Sequence, residues 1–154
     1  MESSTRPVVV GVRFSKIGKI YHFDCSQVQD LRIGDKVVVE TARGWQLGEV
    51  VKLFNEYIQG EENIKSVDRK ATPRDLVQHQ MWKQREPEAV ETARARAQDL
   101  RLELKVVSAE YSYDGSRLTI FFSTETEEKV DLKSLRPDMQ KVYGPAMVEL
   151  RQIG

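Results

Sequence analysis

His22 and Cys25 are the residues best placed for chemistry, because they stand three positions apart and an imidazole beside a thiol can activate a nucleophile. A cysteine nucleophile needs a base within hydrogen-bonding reach, and a zinc site needs three or four protein ligands. The chain has one cysteine and two histidines, the second being His79, far along the sequence. Residues three apart in a strand face opposite sides, so His22 meets Cys25 only if the chain turns after Asp24. We predict no catalytic residue and no metal site.

Other motifs of enzymes give no better evidence of catalysis. Glu86, Glu88 and Glu91 lie among arginines on a predicted helix, where ion pairs on a solvated face explain them. The sequence contains no glycine-rich phosphate loop, no Gly-x-Ser-x-Gly elbow and no His-Glu-x-x-His motif. We therefore predict that the protein is not an enzyme.

Charge and composition bound the possible partners and the compartment. The 24 basic and 24 acidic side chains cancel, so nucleic acid or a membrane would need a local patch of charge. A single cysteine excludes an intramolecular disulfide and fits a reducing compartment. No apolar run approaches the roughly 20 residues that span a bilayer, and the N-terminus lacks the apolar core of a signal peptide. The sequence predicts a cytoplasmic protein with no membrane insertion.

Residues 36–51 predict a β-hairpin. The segments 37–40 and 47–51 are rich in β-branched residues, and Gly44 between them tolerates the positive φ that hairpin turns use. Arg43 stands at the tip of this turn. It either recognises a partner or is simply solvated.

The first part of the chain predicts a small closed sheet. Strands are expected at 8–14, 19–24, 36–41 and 46–53, the last continuing toward residue 58. So few short strands cannot bury one face as an open meander, which favours closure. The prediction is an SH3-like β-barrel over residues 1–60.

The second part predicts a ferredoxin-like sandwich over residues 61–154. A strand is expected at 64–70, and Thr72-Pro73-Arg74-Asp75 predicts a helix start through a capping threonine and a proline at the first helical position. Pro87 predicts either a kink or two helices that meet near Glu86. The later elements are strands at 105–113 and 117–124 around Asp114-Gly115, a loop at 125–129, a helix at 131–143 and a strand at 147–153. This βαββαβ order makes the fold class α+β.

RNA binding is an alternative that the predicted fold raises. RNA-recognition modules share the ferredoxin-like order and carry spaced aromatic residues on one face of the sheet. Phe121 and Phe122 are adjacent, so they point to opposite faces. We expect one of them in the core and the other on the open face or against the barrel. RNA contact through that open face, or through Arg94, Arg96 and Arg101, remains open.

Met81 and Trp82 are large apolar residues in an otherwise polar stretch of the predicted first helix. Side chains of this kind either pack inside the molecule, as a cap on the barrel, or form a docking patch for a partner.

Several short blocks in a fixed order stand out along residues 8–154. They are Val-Gly-Val-Arg-Phe (10–14), Gly-Lys-Ile-Tyr-His-Phe-Asp (18–24), the hairpin, Ala-Glu-Tyr-Ser-Tyr-Asp-Gly-Ser-Arg-Leu (109–118), Phe-Phe-Ser-Thr (121–124), Val-Asp-Leu (130–132) and Glu-Leu-Arg-Gln-Ile-Gly (149–154). This combination resembles the YaaT/RicT-like family, the bacterial relatives of the yeast PSP-one C-terminal domain.

The resemblance implies a regulatory adaptor. Its partners would be proteins, including small helical proteins and an RNA-processing nuclease. Its effects would fall on mRNA processing, sporulation, competence and biofilm formation. We predict partner contacts at Glu40, Thr41, Arg43, Gly44 and Arg151, which match the family's motifs, and at Trp82 of the first helix.

The resemblance has one departure. In related longer proteins the final Arg-Gln-Ile-Gly is commonly followed by a cysteine-rich tail associated with iron–sulfur clusters, whereas this sequence stops at Gly154. Four thiolates hold such a cluster, and Cys25 supplies one. We therefore expect no cofactor in this chain.

Overall fold

The computed structural model describes residues 6–61, 63–125 and 132–153, and within them the fold is α+β with eight strands and three helices. The chain divides into two compact units. The first unit ends at Leu76 and the second begins at Val77. No helix in the described ranges is long and apolar enough to cross a membrane.

The first unit is a five-stranded antiparallel sheet. Its strands are β1 (Val9–Arg13), β2 (Ile20–Asp24), β3 (Lys36–Thr41), β4 (Gly44–Phe54) and β5 (Val67–Lys70). They lie in the order β2-β1-β4-β3-β5. β4 is long enough, at 11 residues, to pair with β3 along its first half and with β1 along its second. Glu49, where the two halves meet, is opposite Lys36 on one side and Arg13 on the other.

Valines fill the core of this unit because β-branched side chains pack well on a pleated surface. Three successive residues of β3 are buried, as expected of a strand covered on both faces. The members of the main core cluster are Val10, Val12, Phe23, Cys25, Leu31, Val37, Val39, Val50 and Val67.

The first sheet is not a closed barrel. Among the described residues, its edge strands β2 and β5 approach each other through one isolated bridge between Asp24 and Ser66. The Asp24 N–H donates to the Lys65 carbonyl at 2.8 Å beside that bridge. Closure needs a continuous ladder between the edges, and β5 makes its ladder with β3 instead. The SH3-like barrel predicted for residues 1–60 is therefore not confirmed.

The second unit packs helices on a three-stranded sheet. Its elements are α2 (Glu86–Asp99), β6 (Lys105–Tyr111), β7 (Arg117–Ser123), α3 (Leu135–Tyr143) and β8 (Met147–Gln152). β7 lies between β6, which is antiparallel to it, and β8, which is parallel. Helix α1 (Pro73–Lys83) includes the last residues of the first unit and the first of the second. α1 and α2 are separate helices, with Pro87 in the first turn of α2, where its missing N–H removes no helical bond.

The ferredoxin-like description of residues 61–154 is not confirmed. The strand predicted at 64–70 corresponds to β5, and it pairs with β3 of the first sheet rather than with the second sheet. Val67 lies opposite Val39 and enters the first core, which explains the pairing. The compact units divide after Leu76, and the domain boundary predicted at residue 60 stays a prediction.

Alanines on one face of α2 allow the helix to approach the second sheet closely. Ala89, Ala93 and Ala97 are buried against the apolar face that carries Leu118 and Ile120. The same core includes Val106, Ala109, Tyr111, Leu135, Met139, Ala146 and Val148. The predicted helix at 131–143 is α3, which begins at Leu135. Residue 131 and most of the loop predicted at 125–129 lie outside the described residues.

Candidate partner-binding surface

The β3–β4 hairpin turn is built by Thr41 and Gly44. The Thr41 hydroxyl accepts a hydrogen bond from the Arg43 N–H at 3.1 Å and donates to the Gly44 carbonyl at 3.1 Å. Gly44 has φ of +94°, a conformation that a side chain disfavours. Both residues therefore have structural roles in the turn that do not depend on a partner.

Glu40 and Arg43 are the charged side chains at the hairpin turn. Glu40 is exposed and lies opposite Trp45 in the ladder. Arg43 is half-buried, and its carbonyl accepts a hydrogen bond from Gln46 Nε2 at 3.3 Å. The four hairpin residues predicted from the sequence are thus brought together in one turn.

Trp82 packs inside the second unit. Its ring lies 4.9 Å from the Tyr111 ring, centroid to centroid, at 43°, and the Arg85 guanidinium sits 4.8 Å over it. A Cβ on Gly115 would come within 2.1 Å of the indole. The backbone at position 115 therefore approaches Trp82 closely enough that only glycine fits. The structure shows intramolecular packing of Trp82 within the second unit, whereas the intramolecular alternative from the sequence was a cap on the barrel. A partner contact at this residue stays a prediction.

An open cavity of about 310 Å³ adjoins the Trp82 indole. Trp82, Tyr111 and Tyr143 provide aromatic walls, and Arg85 and Glu88 are at its rim. The Tyr143 hydroxyl donates to Thr92 Oγ1 at 2.9 Å. Burial raises the pKa of Tyr111 to about 12. Sequence reasoning missed both tyrosines because they are distant in the chain and no local pattern joins them.

Met81, the neighbour of Trp82, has the opposite environment. It is 52 % exposed, and Val77, one turn earlier on the same helical face, is 62 % exposed. Leu76 is also exposed, whereas Asp75 is the buried residue of α1. α1 therefore presents apolar side chains to solvent, the usual mark of an interaction site when polar residues surround them.

Arg151 lies in a row of charges on β8 and its neighbour β7. Its Nη2 donates to Glu149 Oε1 at 3.0 Å, and the other oxygen of Glu149 accepts from Arg117 Nη2 at 3.1 Å. Arg151 is half-buried and opposite Phe121 in the β7–β8 register. Phe122 is buried and Phe121 half-buried on the other face, as the alternation of a strand requires.

His22 and Cys25 each bond elsewhere. His22 Nδ1 lies 2.7 Å from Glu61 Oε1, and its ring meets Phe54 edge-on. The Cys25 thiol is buried and donates to the Pro7 carbonyl at 3.5 Å, and burial raises its pKa. A thiol with a raised pKa is a poor nucleophile. Within the described residues, no three His, Cys, Asp or Glu side chains gather as metal ligands would.

Comparison with known proteins gives a family match. Residues 65–153 match the family model described as the PSP1 C-terminal conserved region. Over 149 residues the chain is 32 % identical to the stage 0 sporulation protein YaaT of Bacillus subtilis, covering 95 % of this chain and 52 % of that protein. It is 23 % identical to an uncharacterized protein of Schizosaccharomyces pombe, covering 80 % of this chain and 20 % of that one. The chain thus spans about half the length of the first relative and a fifth of the second. No solved structure matches it.

Proposed function

This chain belongs to the YaaT/RicT-like family, which carries the PSP1 C-terminal conserved region, and on that premise we propose that it is a non-enzymatic regulatory adaptor. It would assemble with protein partners in the cytoplasm and influence mRNA processing and cell-fate decisions such as sporulation. The name of the B. subtilis relative, a stage 0 sporulation protein, supports the regulatory part of this proposal.

The exposed apolar face of α1 is the observation that carries the adaptor role. Val77 and Met81 are 62 % and 52 % exposed on the same face of this helix. Val77 and Met81 are four residues apart, the spacing with which a helix anchors itself to a partner helix. A small helical protein suits this face because helices pack through such stripes. The Glu40–Arg43 turn would supply a second, charged contact.

Binding of a partner removes this apolar surface from water and so provides most of the affinity. The hairpin charges would contribute specificity more than affinity, because half-exposed ion pairs are screened by solvent and salt. The adaptor mechanism therefore needs no chemistry from the chain itself. It needs two contact regions on the chain. Substitutions in each region can separate their effects on partner binding.

Affinity capture from native lysate, with and without ribonuclease, tests the proposal. The informative variants are the double change Val77→Ser with Met81→Ser, and Arg43→Glu. Met147→Ser, at a residue that is 54 % exposed on β8, is the matched apolar control, and Arg136→Glu at an exposed position is the charge control. Trp82→Ala is unsuitable as a surface probe because the ring is packed against Tyr111.

Ribonuclease-resistant partners that are lost in the α1 double variant and retained in Met147→Ser would support the adaptor role. Recovery that instead requires intact RNA and falls steeply with added salt would overturn it in favour of direct RNA binding.

Direct RNA binding is supported by one specific relationship. Phe121 and Arg151 are opposite each other on β7 and β8, and an aromatic ring beside a guanidinium is a combination that stacks bases. Glu149 disfavours RNA binding here, because its carboxylate binds Arg117 and Arg151 and neutralises part of their charge. We therefore place RNA second.

A further inference from the structure

The two edge strands of the second sheet are protected unequally against pairing with another chain. The ladder of β6 shifts register between Val106 and Ser108, and side chains of α2, Glu86 and Arg94, bond its backbone. Both features are ordinary ways of keeping an edge strand from pairing. β8 keeps a regular register with β7 along its whole length and contains neither proline nor lysine. Of the two edges, β8 is therefore the one suited to pairing.

The alternation of backbone bonds fixes which residues of β8 face away from β7. The N–H groups of Met147 and Ile153 donate to carbonyls on the β7 side at 2.9 Å and 2.8 Å. The even-numbered residues between them therefore direct their backbone groups to the other side, and they are Val148, Leu150 and Gln152. The Val148 N–H donates to Gln140 Oε1. Among the residues that the structure describes, no strand lies on that side of β8.

The side chains of this segment are arranged symmetrically about Leu150. Glu149 and Arg151 flank it with opposite charges, and Met147 and Ile153 stand at the outer positions. These four share one face of the strand, where Met147 is 54 % and Ile153 is 37 % exposed. If two copies pair antiparallel about Leu150, each Glu149 lies opposite Arg151 of the other copy, and each Met147 lies opposite Ile153. The segment is thus complementary to itself.

The two charges favour this arrangement over its neighbours. Parallel pairing in register would place each Glu149 beside the Glu149 of the other copy. An antiparallel pairing shifted by two residues would centre on Glu149 or on Arg151 and would also bring like charges together. Like charges directly opposite each other destabilise a strand pair, whereas opposite charges stabilise it. A shift by one residue is excluded because it would turn the side chains to the wrong face.

We propose that two copies of this chain associate through β8, antiparallel about Leu150, so that their three-stranded sheets form one continuous sheet. The Leu150 N–H and carbonyl bond those of the second copy, and the Gln152 N–H donates to the Val148 carbonyl across the interface. A two-fold axis passes beside Leu150, so the assembly closes as a dimer. Self-association goes beyond the adaptor role and does not depend on it.

The dimer should be weak. One strand pair buries less than the roughly 800 Å² per partner of a standard interface, which suggests a dissociation constant of about 1 to 100 μM. Within one chain Glu149 already bonds Arg151 at 3.0 Å and Arg117 at 3.1 Å. Pairing places a further guanidinium beside each of these carboxylates. Because the charges are partly exposed, they specify the register more than they add affinity.

Sedimentation velocity of the full chain from about 1 to 200 μM tests the proposal, with a monomer expected at the lowest concentration and a dimer at the highest. Gln152→Pro removes an outward N–H and leaves the bonds to β7 in place, so it should raise the dissociation constant roughly tenfold or more. Gln152→Ala is the matched control. It loses the same side-chain bond to Thr124 but keeps the N–H, so it should dimerise as the wild type does.

A charge exchange tests the register. Glu149→Arg and Arg151→Glu each place like charges opposite each other in a dimer, so each variant alone should dimerise roughly tenfold more weakly than the wild type. An equimolar mixture of the two variants restores opposite charges at both positions and should form a heterodimer. Glu91→Arg, at an exposed position on α2, is the charge control and should dimerise normally. Circular dichroism checks that each variant is folded, and the Gln152 pair decides the matter if a charge variant is not.

A wild type that stays monomeric over the whole range would overturn the proposal. So would a dimer that Gln152→Pro weakens no more than Gln152→Ala, or a mixture of folded charge variants that stays monomeric. A dimer lost in the double variant Val77→Ser with Met81→Ser and intact in Gln152→Pro would place self-association on α1 instead. Because α1 is a different element, failure of the β8 dimer leaves the affinity-capture test of the adaptor role unchanged.

Discussion

The Glu86 carboxylate accepts a hydrogen bond from the backbone N–H of Tyr111 at 3.0 Å, and this bond ties the first turn of α2 to the edge strand β6. Farther along α2, Arg94 donates to the Val106 carbonyl of the same strand at 3.1 Å and 3.3 Å. An edge strand with bare backbone groups can pair with another chain. Side chains of α2 therefore occupy backbone groups at both ends of β6.

Protonation of Glu86 should affect stability between mildly acidic and neutral pH. Burial, together with the nearby Glu110, raises the pKa of Glu86 from its ordinary 4.5 to about 6, although the Tyr111 N–H bond opposes the shift. Because the pKa of Glu86 is higher in the folded state than in the unfolded state, protonation of Glu86 stabilises the fold. This stabilisation is complete below pH 4.5 and is lost as the pH rises through about 6. After allowance for partial exposure the effect is about 1 kcal/mol.

Glu86→Gln removes this titration. Urea unfolding of wild type and variant from pH 4 to pH 7.5 should show a difference in unfolding free energy that changes across that window. A difference that stays constant with pH would contradict the assignment to Glu86. Glu91→Gln, at an exposed position on the same helix, is the control.

One side-chain amide bonds two backbone groups where β8, at the opposite edge of the second sheet, begins. Gln140 Oε1 accepts from the Val148 N–H at 2.9 Å, and Gln140 Nε2 donates to the Ala146 carbonyl at 2.7 Å. Val148 is buried, so Gln140→Ala leaves its N–H unpaired and should cost about 1 to 3 kcal/mol of unfolding free energy. Gln140→Glu keeps the acceptor and loses the donor, so it should cost less if the Val148 bond dominates. Chemical denaturation measures both, and equal stability of all three proteins would refute the bridging role.

Gly115 should not tolerate a methyl group. It has φ of +75°, and a Cβ there would approach the Trp82 indole to 2.1 Å, so Gly115→Ala combines backbone strain with overpacking. We expect a loss of roughly 2 to 4 kcal/mol in unfolding free energy. Gly60→Ala is the matched control, because Gly60 has φ of +87° with nothing within 4 Å, so only the backbone strain applies. Equal losses in the two variants would show that the indole contact contributes nothing.

Local signals in the sequence predicted the individual helices, strands and turns better than the pairing of the strands into sheets. The capping box at Thr72 and Asp75 is present, with the Asp75 N–H bonded to Thr72 Oγ1 at 3.1 Å, because such caps depend on residues three apart. In the same way Gly44 predicted the hairpin, and Pro87 predicted either a kink or two helices near Glu86, of which the structure has two helices. The sequence did not predict which sheet β5 joins, because β5 has too few residues for its own pattern to specify a partner strand.

The same distinction applies to the candidate site, where residues adjacent in sequence were predictable and residues from distant elements were not. The hairpin residues are adjacent in sequence, so they lie together as expected. The tyrosines beside Trp82 come from two elements far apart in the sequence, β6 and α3. Such contacts arise from strand order and helix packing, and no local spacing of residues encodes them.

Asp75 should make the protein sensitive to strong acid. Arg69 Nη1 bonds its Oδ2, Arg69 Nη2 donates to its Oδ1 at 3.1 Å, and the Thr72 N–H donates to Oδ2 at 2.8 Å. The Arg69 hydrogen bonds are the largest cause that lowers the pKa of Asp75 from 3.8 to about 2. Because the pKa of Asp75 is lower in the folded state, ionised Asp75 stabilises the fold above pH 3.8, and this stabilisation is lost as the pH falls through about 2.

Asp75→Asn should therefore lose about 2 kcal/mol of unfolding free energy at pH 7 and much less near pH 2, whereas Arg69→Met should reproduce most of that loss. Unfolding free energies from urea titrations at both pH values decide the matter, and a loss for Asp75→Asn that is as large at pH 2 as at pH 7 would disprove the ionic role of Asp75.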